Sequence, residues 1–130
     1  MQKLLTYLFL FLFTGSLCAN EASKKIAAAI KSGDVKELCT YFNSTIELTV
    51  MDKEDFYSKS QAEIILKKFF DEHKVKTFEL AHKGGNGKTQ YFIGNFNTDK
   101  KKFRIYFLLK KTGDKDLIHV FRIDNVSQSE

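Results

Sequence analysis

The chain has 130 residues, 28% of them charged, with 21 basic against 16 acidic side chains and a net charge of +5. Such a length makes one domain, able to bury roughly 60–70% of its unfolded surface. Two cysteines and three well-separated histidines exclude a disulfide framework and a zinc site, and no proline, repeat or low-complexity linker divides the chain.

The first nineteen residues read as an export signal. Met1-Gln2-Lys3 supplies a positive charge, Leu4 to Phe13 is apolar except for Thr6, and Thr14-Gly15-Ser16 breaks the run before Leu17-Cys18-Ala19. The apolar run is shorter than the about 20 residues a membrane span needs. Cleavage is expected after Ala19, leaving one domain over 20–126 and a loose tail over 127–130. Export leads to the periplasm or the medium. The alternative is a lipoprotein anchored through Cys18, although Leu17 stands where such signals carry Gly or Ala. After cleavage no transmembrane segment remains, and Cys39 is the one cysteine left.

Helical signals open the domain. Ala22 to Lys31 sets Ile26, Ala29 and Ile30 on one face, and Gly33 stops it. Asp34, with Glu37 three residues on, resembles a capping box for a second helix carrying Val35, Leu38, Cys39 and Phe42 as its apolar stripe. Cys39 is therefore read as a buried structural thiol. Thr45 to Met51 changes period: Ile46, Leu48 and Val50 alternate with polar residues, as in a half-buried strand. The polar cluster Asp52 to Asp55 is expected to turn the chain. A third helix is expected from Ser60, capped by Ser60-Gln61-Ala62-Glu63, with Ala62, Ile65, Leu66, Phe69 and Phe70 as its stripe. His73 falls in its last turn, where a positive charge would complement the helix dipole.

From Lys74 onward the pattern alternates as sheet, with strands expected near 75–82, 88–97, 102–110 and 116–125. In the third of these, Phe103, Ile105, Phe107 and Leu109 mark one face, while Arg104, Tyr106 and Leu108 make the other face partly apolar as well. Such a sheet covers a pocket or meets a partner.

Residues 82–89, "HKGGNGKT", miss the phosphate-binding loop G-x-x-x-x-G-K-[ST] by one position, with His82 in place of the first glycine. That loop must run from a strand into a helix whose N-terminus helps hold the phosphates. Here "QYFIGNF" follows and alternates as a strand, so His82–Thr89 is read as a hairpin turn and not a nucleotide site.

The order α-α-β-α-β-β-β-β resembles the nuclear transport factor two-like fold, also called cystatin-like. In that α+β fold a curved antiparallel sheet wraps around a long helix to form a cone. "SGDVKELCTYF" resembles its second-helix start and "LIHVFRIDNV" its terminal strand. More closely, "FYSKSQAEIILKKFF" and "FELAHKGGNGKTQYFIGNF" resemble a small secreted Bacteroidota family, a domain of unknown function. The resemblance implies a fold and no chemistry.

Enzymes of that superfold, ketosteroid isomerase among them, place a carboxylate or histidine with a tuned pKa inside the cone, beside a Tyr or an acid. The candidates here are Glu47, Glu79, His119, Asp124, Tyr57, Tyr91 and Tyr106. Glu47 and Glu79 are out of phase with their buried neighbours. His119 shares a phase with Leu117 and Phe121, so His119, with Tyr106 or Asp124, is the best catalytic candidate for an isomerase- or hydrolase-like site.

The basic residues do not form one stripe. Lys100, Lys101 and Lys102 lie in one turn and Lys110, Lys111 and Lys115 around the next, roughly 25 Å apart along an eight-residue strand. Nucleic acid is therefore not an expected partner. The favoured expectation is an exported, non-catalytic cell-envelope module without a cofactor. It would bind a small apolar ligand in its cone, or an envelope protein or a second copy through its sheet. The ligand-binding residues stay open, because sequence does not say which sheet face closes the pocket.

Overall fold

The structure is a computed structural model and describes residues 21–126. The expected signal segment and the C-terminal tail lie outside the described residues. The elements are α1 (Glu21–Ser32), α2 (Val35–Cys39), β1 (Phe42–Val50), β2 (Lys53–Ser58), α3 (Lys59–Glu72), β3 (Thr77–Gly85), β4 (Thr89–Asn97), β5 (Lys102–Thr112) and β6 (Lys115–Asn125). The six strands form one curved sheet in the order β2-β1-β6-β5-β4-β3. Neighbours are antiparallel except β1 and β6, which run parallel because the chain leaves β2 through α3 and starts β3 at the far edge.

Local chemistry sets the helix ends. Gly33 takes φ +71° and closes α1. The Asp34 carboxylate then accepts the Glu37 N–H at 3.1 Å and opens α2. That helix is a bare five residues. Phe42, expected on its stripe, instead begins β1 and is buried there all the same. Two further expectations need correction. Asp52 to Asp55 does not turn the chain: Met51 and Asp52 do, and Lys53 to Asp55 already belong to β2. This edge strand is exposed at Lys53, Glu54, Asp55 and Phe56 in succession, so it carries no alternation to read. The α3 cap lies two residues earlier than expected, at Ser58. Its hydroxyl accepts the Gln61 N–H, and the Gln61 side chain reaches back to the Ser58 N–H at 3.2 Å.

The helices cover one face of the sheet, and that inner face is built largely of phenylalanine. Phe92 pairs with Phe107 and Phe107 with Phe121 across β4, β5 and β6, with ring centroids 5.1 and 6.5 Å apart. One row over, Phe78, Phe96 and Phe103 are linked in the same way. Phe69 and Phe70 of α3 meet that second row edge-on, at 5.1 Å to Phe103 and 5.5 Å to Phe96. Ile26, Ile30, Leu38 and Cys39 complete the core from α1 and α2.

Register shifts in three strand pairs bend the sheet. One falls between Leu80 and His82 in β3, a second leaves His119 as an extra residue in β6 between Ile118 and Val120, and a third falls between Phe42 and Glu47 where β1 pairs with β6. Beside the first, Gly94 lies on the inner face opposite Leu80. A Cβ there would come within 2.5 Å of the Phe78 ring and 2.9 Å of the Glu79 carbonyl oxygen. Gly94→Ala is therefore expected to cost about 1–3 kcal/mol by overpacking, measured as a lower urea midpoint. An unchanged midpoint would mean that the ring shifts freely.

Candidate functional site

A cleft of about 680 Å³ opens between α3 and the β1–β2 hairpin. Leu48, Val50, Tyr57, Ile65 and Phe69 form its apolar wall, and Ile64 extends that wall outward while 72% exposed. Asp52, Lys53, Lys68, Glu72 and His73 contribute the polar rim. Met51, at the hairpin turn, also lines the cleft. It holds φ +60°, a conformation that favours glycine, and its N–H donates to the Ile123 carbonyl at 2.8 Å. Holding a non-glycine residue there costs on the order of 1–3 kcal/mol, and what the turn obtains is a long apolar side chain on the cleft wall.

His73 caps α3, its N–H donating to the Phe69 carbonyl at 2.9 Å. Its ring packs 4.6 Å from Phe69 and 4.9 Å from Phe103. Burial first, and Lys101 second, lower its pKa against the opposing pull of Glu72. The expected imidazolium complementing the helix dipole is therefore not its favoured state at neutral pH. Among the described residues no ion pair joins His73 to an acid. A sequence signal for its place in the cleft exists, since His73 continues the Ile65, Phe69 spacing by four.

The catalytic candidates do not meet in this cleft. His119 was expected in phase with Phe121, but the bulge re-phases β6. Ile118 and Phe121 are fully buried, while Leu117 and His119 are only half-buried. The His119 Nε2 lies 3.1 Å from the Thr112 hydroxyl, and burial and Lys110 lower its pKa. Tyr106 and Asp124 do come together, on the outer face. There they line a shallow depression of about 480 Å³ with Glu47, Ile93, Arg104, Val120 and Arg122. Arg122 approaches Asp124 at 3.8 Å, and Tyr106 stacks on Tyr91 at 6.1 Å. Glu47 is half-buried and Glu79 exposed, away from the core as their phase requires. Of the sequence candidates, Tyr57 alone lines the cleft.

The glycine-rich stretch is the β3–β4 hairpin, and β4 follows it directly. Gly85 takes φ +98°, and the Asn86 side-chain oxygen accepts the Lys88 and Thr89 N–H groups at 2.9 and 3.1 Å. The amides that a phosphate would need thus bond within the turn. Cys39 is buried in the α2 stripe, and its thiol is pushed up to about 12, chiefly by burial. Among the described residues there is no cluster of three or more His, Cys, Asp or Glu arranged to hold a metal, and no helix long and apolar enough to cross a membrane.

Both lowered histidines fix one sign of pH dependence. The folded state favours neutral rings, so the stability they contribute is present above about 6.5, the ordinary value, and is lost as pH falls through their folded pKa values. NMR titration of the ring protons is expected to give midpoints below 6.5 for His73 and His119. A midpoint at or above that value for His73 would mean a solvated ring or a bond to Glu72.

Comparison with known proteins supports the same architecture. Residues 23–124 match the family described as Domain of unknown function (DUF4783). The crystal structure of a DUF4783 family protein from Bacteroides uniformis is 30% identical, with a TM-score of 0.77, over 81% of this chain and 97% of that one. One from Bacteroides ovatus is 29% identical, with a TM-score of 0.75, over 80% and 94%. An NTF2-like protein of unknown function from Shewanella baltica shares the fold at 14% identity, with a TM-score of 0.65, over 83% and 90%. Among curated proteins none matches. The match over most of the chain, joined to the curved sheet and its crossing helix, makes this chain a member of the DUF4783 family, with a nuclear transport factor two-like fold.

Proposed function

We propose that this chain is a non-catalytic binding module of an exported protein, and that the cleft between α3 and the β1–β2 hairpin takes a small apolar ligand. The cleft itself carries the reading: about 680 Å³, walled by Leu48, Val50, Tyr57, Ile65 and Phe69, with polar groups confined to its rim. The export part rests on the sequence of residues 1–19. An isomerase- or hydrolase-like activity around His119 has less support. Its ring bonds Thr112 and has no acid partner among the described residues, while Tyr106 and Asp124 line a separate depression.

A second reading concerns the outer sheet face, where Leu108, Val120, Ile93 and Tyr106 are half-buried between Arg104, Arg122, Glu47 and Asp124. Apolar surface interleaved with both signs of charge suits an envelope protein or a second copy.

The test of the cleft uses the neutral fluorophore N-phenyl-1-naphthylamine. Ile65→Trp, which fills the cleft, is expected to weaken its binding by about tenfold or more, while Leu108→Glu on the outer face leaves it unchanged. The opposite pattern would move the binding to the outer face and end the cleft reading. Light scattering tests the second reading: a wild-type dimer that Leu108→Glu converts to a monomer supports it, and a monomeric wild type removes it.

A further inference from the structure

The cleft is polarised along its length. On α3, Ile64 and Ile65 come first, Lys68 and Phe69 one turn later, Glu72 and His73 a turn beyond. Eight residues of helix separate Ile64 from Glu72, about 12 Å. The hairpin confines its charged lining residues to one end, where Val50 and Met51 lie beside Asp52 and Lys53. Tyr57 lies next to Ser58, which caps the start of α3, while Met51, Asp52 and Lys53 lie at the other end. Two contacts fix that second end beside His73. The Met51 N–H bonds to Ile123, and the His73 ring packs on Phe103. Ile123 pairs with Ile105, two residues from Phe103 on β5. The charged ends of helix and hairpin therefore coincide.

We propose that the occupant of this cleft is a single-chain amphiphile with a carboxylate head, its tail along Ile64, Ile65 and Leu48 and its head at Lys53 and His73. This rests on the ligand-binding reading above and adds the ligand's class and orientation. The length of the gradient suits an extended alkyl chain, because a compact ring system would leave Ile64 uncovered at one end or the polar rim unused at the other. Ile64 is 72% exposed in a helix whose other apolar residues are buried or half-buried, and the tail covers it. The sign of the head follows from the charges that face it. On the rim Lys53 and Lys68 balance Asp52 and Glu72, and Lys101, which lies outside the cleft lining, adds one positive charge acting on His73 from the β4–β5 turn. Among the described residues none of these three ammonium groups is held in an ion pair. The excess is positive, and the neutral His73 ring retains one N–H to donate to a carboxylate oxygen.

The experiment uses the mature protein and stearic acid carrying a nitroxide at carbon 5 or at carbon 16, below the micellar range, read by NMR. The label near the head is expected to broaden His73 and Met51 most, and the label near the tail to broaden Ile64 and Ile65 most. Saturation with dodecanoate should raise the His73 titration midpoint, since a carboxylate beside the ring favours its charged form. Lys53→Glu should weaken dodecanoate by about tenfold while the urea midpoint stays as in the wild type, which separates loss of the head contact from loss of the fold. Equal broadening at both ends, the reverse order, or equal affinity for dodecyltrimethylammonium would overturn the proposal. If neither labelled acid binds while N-phenyl-1-naphthylamine does, the amphiphile is wrong and the apolar cleft stands. If none of the three binds, both readings fall.

Discussion

The clamp of Phe69 and Phe70 on the Phe96–Phe103 pair is the contact on which the rest of the domain depends. Those four rings fix where α3 crosses the sheet, because edge-on aromatic contacts at 5.1 and 5.5 Å tolerate little sliding. The clamp uses the C-terminal half of the helix and lies over β4 and β5. On the opposite flank, Ile64, Lys68 and Glu72 face the β1–β2 hairpin without closing on it. The cleft is the space left when a helix is pinned along one side. Its position is a consequence of core packing, and its chemistry belongs to the residues of the unpinned flank.

The two faces of the sheet divide the labour. The inner face is filled by phenylalanine from five strands, β1 and β3 to β6. The outer face keeps its polar residues half-exposed among apolar ones, and the bulge at His119 belongs to this division. By adding one residue to β6, it lets Ile118 and Phe121 both reach the core and leaves the imidazole bonded to Thr112. Packing of the β6 core residues thus removes from the interior the group that chemistry would have wanted there.

His73 and Met51 give the cleft its particular character. A half-buried imidazole against two phenyl rings is held toward the neutral form, and a methionine kept at positive φ presents a flexible apolar side chain to the same space. Both pack against the edge of the core. Both line the cleft, beside Asp52, Lys53 and Glu72.

Much of this was legible in the sequence. The alternation of Phe103, Ile105, Phe107 and Leu109 gathers one apolar sheet face, Gly33 and Asp34 divide the first two helices, and the strand after Thr89 makes the glycine-rich stretch a hairpin. Each of these is a local property, set by backbone freedom, capping or a period of two. β2 was not legible, because an edge strand exposed at four successive residues has no period. The phase of His119 was not legible either, because a bulge is decided by the register against β5. The cleft draws on Leu48 to Lys53, Tyr57, and Ile64 to His73, which no local pattern joins. Sequence determined which residues must be buried and where the chain turns; the packing of α3 against a bent sheet decided which of the remaining residues would face one another.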